Sequence, residues 1–127
     1  MELVVVVGVL ALLEYLVFVL MCGHARGRCG VAAPSTTGNP LFERYFRVQP
    51  NTLEQLVLFL PGLAIFAIYV SEPVAAGLGG FFILGRALYA WGYLADPARR
   101  GPGFGITLLT NAVLLVGGLI GVIVRLL

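Results

Sequence analysis

The sequence contains four long apolar runs that are separated by short polar stretches. Hydrophobic residues make up 60% of the chain, well above the roughly 45–50% of ordinary globular proteins. Each run approaches the roughly 20 residues that a helix needs to cross a bilayer. We therefore expect an all-α fold, a four-transmembrane-helix up-down bundle, in which one membrane-embedded domain takes up the whole 127-residue chain. The predicted helices cover residues 3–21, 43–70, 74–94 and 104–124.

The three connections differ in composition. Residues 23–41 are rich in Gly, Pro, Ser and Thr, which predicts a loop. Residues 71–73 read Ser-Glu-Pro, which predicts a tight turn between antiparallel neighbours. Residues 96–103 form a short polar loop that contains two prolines. The chain therefore crosses the membrane four times, and its first and last connections lie on the same side.

The placement of arginine predicts the orientation of the bundle. Arg26 and Arg28 belong to the first connection, Arg99 and Arg100 belong to the last, and Glu72 is the only charged residue of the middle one. Cytoplasmic loops carry an excess of basic residues, so both arginine-bearing connections are expected to face the cytoplasm. The chain has no lysine and is rich in Gly and Ala, which suggests a GC-rich bacterial source and hence a bacterial inner membrane.

A polar stripe extends the second apolar run from Glu43 to Glu54. Arg47, Asn51 and Glu54 are spaced i, i+4 and i+7, which places them on one helical face at the membrane edge. Ionisable groups at that depth are costly and favour a functional site. The alternative is an ion pair that only satisfies a helix end. Pro50 either kinks this helix or begins it.

A second polar face lies on the third predicted helix. Arg86, Tyr89 and Tyr93 are spaced i, i+3 and i+7. Arg86 lies near the middle of an apolar helix and needs a carboxylate or water, for which Glu54 is the predicted partner. Arginine side chains bind carboxylates in a bidentate manner, so a group of them at one edge favours an anionic ligand. For the loop arginines the alternative is the orientation signal alone.

Two classes of function are set aside by composition. The formal charge is only +2 and aromatic residues do not alternate with basic runs, so no nucleic-acid partner is expected. Cys22, His24 and Cys29 offer at most three ligands without the spacing of a metal site. We therefore expect no metal, and we expect free thiols rather than a disulfide.

Two motifs resemble the MAPEG family, the membrane-associated proteins in eicosanoid and glutathione metabolism. The first is Phe-Glu-Arg-x-x-Arg-x-Gln-x-Asn-x-x-Glu, which occupies residues 42–54. The second is Arg86-x-x-Tyr89-x-x-x-Tyr93, followed by a loop with Pro97 and Arg100. The chain length and the four predicted helices also fit, so the resemblance covers essentially the whole sequence.

The resemblance implies a homotrimer that holds glutathione between neighbouring subunits. It implies a membrane-bound glutathione transferase, with or without glutathione peroxidase activity, that detoxifies lipophilic electrophiles or lipid hydroperoxides reaching it through membrane lipid. Glutathione is then the co-substrate. Arg100, aided by Arg26, matches the position that stabilises the thiolate. The positions that match glutathione-binding residues are Arg26, Arg47, Gln49, Asn51, Glu54, Arg86, Tyr89 and Tyr93.

The chain departs from the family pattern at two places, because Gln55 stands where some members have a tyrosine and Trp91 replaces a polar residue. Two other functions remain open. One is a non-enzymatic, lipid-binding scaffold of the same family. The other is a small multidrug transporter, which would couple deprotonation of Glu14 in the first helix to cation binding.

Overall fold

The computed structural model describes all 127 residues and contains only helices. A 3₁₀ turn, Pro97–Arg100, precedes the last helix. Each of the four α-helices is long and apolar enough to span a membrane. The predicted all-α bundle is therefore confirmed, and the chain is an integral, multi-pass membrane protein. The helices are α1 (Glu2–Cys29), α2 (Pro40–Tyr69), α3 (Glu72–Ala95) and α4 (Gly101–Leu126).

Polar caps and glycine mark the helix ends. Asn39 caps α2, because its side-chain oxygen accepts hydrogen bonds from the backbone N–H groups of Leu41 and Phe42 at 3.0 and 3.1 Å. Ser71 caps α3 by accepting from the N–H of Val74 at 3.4 Å. Gly30 ends α1 in the left-handed region, with φ 68°, which a residue without Cβ adopts at little cost.

Two helices are longer than their apolar runs. α1 continues to Cys29 rather than ending near residue 21, because Cys22 and Ala25 lie on a face that packs inside the bundle. α2 begins at Pro40 and continues through Pro50, so the predicted start at Pro50 is wrong. One missing N–H removes a single hydrogen bond, which is tolerated in a long helix whose neighbouring turns are packed.

The helices run up and down, so both arginine-bearing connections lie at one end of the bundle. Arg44 at the start of α2 donates to the carbonyl oxygens of Leu94 and Ala95 at the end of α3, at 3.1 and 3.3 Å. The amino group of Met1 lies 2.8 Å from the Glu72 carboxylate at the opposite end. We call the end that contains residues 26–44 and 94–100 the arginine-rich end.

The bundle places apolar side chains outside and several polar ones inside. Leu, Val and Ile residues of all four helices are exposed on the outer surface of the single chain. Apolar packing, such as the Phe59 and Phe82 rings stacked at 3.9 Å, fills one part of the interior. Thr52, Arg86 and Thr107 are nevertheless completely buried. Outer surfaces of this kind suit lipid or other membrane helices, and the buried polar groups position the site.

Candidate functional site

A cleft of about 450 Å³ opens at the arginine-rich end, between α2, α3 and the start of α4. Its volume lies within the range of about 300–1,000 Å³ that is usual for small-molecule sites. The lining combines two guanidinium groups, two phenols, one amide and one apolar ring. The lining residues are Arg47, Asn51, Tyr89, Tyr93, Arg100 and Phe104.

The rim of the cleft is charged and lies at the surface of the single chain. The Arg47 guanidinium lies 3.4 Å from the Glu54 carboxylate, and about half of each side chain is exposed (48% and 58%). Exposed pairs of this length contribute little to stability, about 0–1 kcal/mol. The predicted ion pair therefore exists, but it leaves both groups free to exchange partners with a charged ligand.

The floor of the cleft is held by Arg86, which is completely buried. Its Nη1 donates to Oδ1 of Asn51 at 2.6 Å, and its Nε donates to Oγ1 of Thr107 at 3.0 Å. The Thr107 hydroxyl in turn donates to the Gly103 carbonyl oxygen at 2.9 Å. These bonds join α3 to both α2 and α4, so they fix the amide of Asn51 where it faces the cleft.

Arg86 also supports the aromatic wall. Its guanidinium carbon lies 4.4 Å from the centre of the Tyr89 ring, and that ring stacks on Tyr93 with 5.7 Å between centres. The predicted pairing of Arg86 with Glu54 is wrong, because Glu54 faces Arg47 at the exposed rim instead. Asn51 lies one turn before Glu54 on α2 with its side chain buried, and it takes the place that the carboxylate was expected to fill.

The structure brings most of the predicted site residues together, but not all. Arg47, Asn51, Tyr89, Tyr93 and Arg100 line the cleft, Arg86 lies beneath it and Glu54 lies at its rim. The remaining two, Arg26 and Gln49, are not in its lining.

Arg26 lies apart from the cleft, at the other side of the arginine-rich end. Its Nη1 donates to the Ser35 carbonyl oxygen at 2.7 Å, and its guanidinium lies 4.6 Å from the centre of the Phe42 ring. Gln49 is partly buried on α2. Within one chain, therefore, Arg26 does not act on a ligand bound beside Arg100.

Sequence reasoning missed the contribution of α4. Phe104 lines the cleft, Thr107 anchors Arg86, and the Asn111 amide donates to the Gln55 side chain at 3.0 Å. Thr107, Thr110 and Asn111 are spaced i, i+3 and i+4 in an otherwise apolar helix. That spacing predicts a polar face directed into the bundle, and it was available from the sequence.

Comparison with known proteins gives consistent matches. A sequence model described as the MAPEG family matches residues 3–120. An uncharacterized protein of Synechocystis sp. is 51% identical over 90% of this chain and 83% of its own length. Human microsomal glutathione S-transferase 2 is 36% identical over 91% of this chain and 79% of its own length. Leukotriene C4 synthase of Cavia porcellus is 38% identical over 74% of this chain and 63% of its own length.

Proposed function

Because the chain belongs to the MAPEG family, we propose that it is a membrane-bound glutathione transferase that conjugates glutathione to lipophilic electrophiles. Similarity to a microsomal glutathione S-transferase over most of both chains supports a glutathione-related transferase function. The observation that carries the finer proposal is the cleft, in which Arg47 and Arg100 face the same space as two tyrosines and an amide.

The chemistry of the cleft suits glutathione. This tripeptide carries two carboxylates, one ammonium and one thiol. Arg47 provides a guanidinium for a carboxylate, and the exposed Glu54 beside it provides a carboxylate for the ammonium. The Asn51 amide and the two phenols add neutral hydrogen-bonding groups. The Arg47–Glu54 contact is exposed and therefore weak. Glutathione binding would replace it with two charge-assisted hydrogen bonds, one to Arg47 and one to Glu54.

Arg100 is the proposed catalytic residue. A free thiol has a pKa of about 8.5, so only a small fraction is thiolate at neutral pH. A guanidinium beside the sulfur favours the thiolate, and the proton leaves to solvent. The thiolate then attacks the electrophilic carbon, forms the C–S bond and expels the leaving group with its electron pair. Phe104 adds an apolar wall to the same cleft.

Peroxidase activity uses the same thiolate. It attacks the terminal oxygen of a lipid hydroperoxide, which breaks the O–O bond and releases the lipid alcohol after protonation. The sulfenic acid that forms on sulfur is reduced by a second glutathione to give the disulfide and water. The cleft thus serves both reactions, and the acceptor determines which one occurs.

A homotrimer completes the proposed site. Arg26 and Gln49 match glutathione-binding positions of the family but lie outside the cleft of their own chain. A neighbouring subunit that supplies these residues accounts for both observations. The broad apolar surface of the single chain gives such neighbours a face to pack against.

The arginine-rich end is proposed to face the cytoplasm of a bacterial cell, with the bundle in the inner membrane. Arg26, Arg28, Arg44, Arg99 and Arg100 all belong to that end. Excess arginine marks the cytoplasmic side, and glutathione is a cytoplasmic solute. Lipophilic acceptors would reach the cleft from the bilayer.

A transferase assay on the purified, reconstituted protein tests the function. Conjugation is measured with several lipophilic electrophiles, and reduction is measured with an organic hydroperoxide. We expect saturable, glutathione-dependent turnover with at least one acceptor. Glutathione or lipid binding without turnover on any acceptor would instead support the non-enzymatic scaffold. Family membership removes the main reason for considering a small multidrug transporter.

A further inference from the structure

Glu14 lies in the middle of α1 and takes no part in the site described above. It is the only acidic residue between Glu2 and Glu43. The side chain is partly buried in the bundle, and its Oε1 atom is fully buried without a hydrogen-bond partner. A carboxylate inside a membrane bundle is costly unless another group compensates it, so its presence there calls for a partner.

Arg86 also has a buried polar atom without a hydrogen-bond partner. Its Nε and Nη1 donate to Thr107 and Asn51, but its Nη2 is buried without a hydrogen-bond partner. Both of its partners are neutral, and a guanidinium does not lose its proton in proteins. A buried positive charge therefore stands within the membrane with no contacting counter-ion.

Glu14 is the carboxylate placed to compensate this charge. Glu14 and Arg86 lie on α1 and α3, two helices that pack against each other, and the Oε1 and Nη2 atoms that lack partners are both buried. The two side chains form no ion pair within 4 Å. The other candidates are engaged elsewhere, since Glu54 pairs with Arg47 at the rim and Glu72 pairs with the amino group of Met1 at the opposite end. A side-chain rotation that brings the two groups together, or a water that accepts from Nη2 and donates to Oε1, would satisfy both atoms.

We infer that Glu14 is the counter-ion of Arg86 and, through it, a positioning residue for the cleft. Arg86 holds the Asn51 amide at 2.6 Å and supports the Tyr89 ring. An uncompensated guanidinium would turn toward water or toward the carboxylates of a bound ligand, and it would release Asn51. The ion pair itself does not depend on the proposed function, whereas the effect on glutathione does rest on it.

Infrared difference spectroscopy of the protein in lipid bilayers tests the charge state directly. At neutral pH, the difference between the wild-type and Glu14→Gln spectra is expected to contain a band of an ionised carboxylate. Loss of a protonated carboxyl band instead would overturn the inference. Glu2→Gln is the matched control, because Glu2 lies on the same helix with a fully exposed side chain. This measurement needs no glutathione, so it tests the charge of Glu14 independently of the proposed transferase function.

Glutathione binding, measured by calorimetry, tests the positioning role. We expect Glu14→Gln and Arg86→Gln each to weaken binding by about tenfold, and we expect the double variant to bind no more weakly than Arg86→Gln, because coupled residues are not additive. Glu14→Asp, which keeps the charge, should retain most of the affinity, and Glu2→Gln should bind like the wild type. Additive losses, or wild-type binding by Glu14→Gln, would overturn the positioning role.

A folding comparison covers the case in which the single variant is unstable. If Glu14→Gln leaves Arg86 uncompensated and fails to fold, Glu14→Gln/Arg86→Gln should recover folding because it removes both charges. A double variant that folds no better than Glu14→Gln would contradict the pairing.

Discussion

At the scale of single residues, the two arginines of the 3₁₀ turn are chemically equal but differently placed. Arg100 lines the cleft, whereas Arg99 lines a separate groove beside Trp91. We predict that Arg100→Ala lowers kcat by on the order of 100-fold, as loss of a group that stabilises developing negative charge does. The Kd for glutathione should change much less, because Arg47 and Asn51 remain.

Arg99→Ala is the matched control for that experiment. It removes the same charge from the same turn, one residue away, without touching the cleft. Steady-state kinetics give kcat, and calorimetry gives the Kd. Equal damage from both substitutions would mean that the turn contributes general positive charge rather than a group aimed at the thiolate.

The residue scale is also where sequence reasoning was least complete. The spacing of Arg86, Tyr89 and Tyr93 predicted one polar face on α3, and Tyr89 and Tyr93 do line the cleft above Arg86. The same spacing does not identify the partner of Arg86, because periodicity describes one helix and not which side chains of its neighbours face it. Asn51 and Thr107 take that role because they are buried on the inward faces of α2 and α4, whereas the Glu54 side chain is exposed.

At the scale of elements, the contact of α3 with α4 depends on a glycine. A Cβ atom built at Gly103 would overlap the backbone nitrogen of Tyr89 and lie 2.7 Å from the Gly85 carbonyl oxygen. We predict that Gly103→Ala destabilises the bundle by about 1–3 kcal/mol, the usual cost of overpacking. It should also weaken glutathione binding, because the forced separation moves Tyr89, which lines the cleft.

Gly105→Ala provides the comparison. It lies two residues further along α4, and nothing is within 4 Å of the Cβ that it would gain. Because alanine favours helix over glycine, this variant should be as stable as the wild type or slightly more so. Thermal unfolding in detergent and the Kd for glutathione are the two measurements. If Gly103→Ala unfolds at the wild-type temperature, the close packing of α3 on α4 is wrong.

The elements themselves were largely predictable, and their ends were not. Only a helix satisfies its own backbone in an apolar stretch of this length, so hydropathy identifies all four. Hydropathy does not report where a helix continues into polar sequence, as α1 does up to Cys29 and α2 does from Pro40. Those ends are set by Gly30, by the Asn39 cap and by packing at the arginine-rich end.

At the scale of the whole molecule, the orientation in the membrane is open to a labelling test. Cys29 is a free, partly exposed thiol at the arginine-rich end, whereas Cys22 is buried. With a thiol reagent that cannot cross membranes, we predict that Cys29 is protected in intact bacterial spheroplasts and labelled in inverted vesicles. Glu2→Cys in a Cys29→Ser background places the thiol at the opposite end and should give the reverse pattern. Labelling of Cys29 in intact spheroplasts would reverse the proposed orientation.

Also at the scale of the whole molecule, the proposed homotrimer would explain why Arg26 lies outside the cleft of its own chain. Arg26 and Arg100 lie apart in one chain, so the proposed glutathione site would take one from each of two neighbouring subunits. Arg26→Ala and Arg100→Ala should each be nearly inactive alone. In a cyclic trimer that contains both variants, one interface of the three joins an intact Arg26 to an intact Arg100.

Co-expression of the two variants therefore restores activity if glutathione lies between subunits. Random mixing puts both variants in about three quarters of the trimers, with one intact site in each, so about a quarter of the wild-type activity is expected. Co-expression of Arg47→Ala with Arg100→Ala is the control, because both residues line the cleft of a single chain and no interface can reunite them. Recovery in the first mixture and none in the second requires a site built from two subunits. Equal results in the two mixtures would contradict a site shared between subunits.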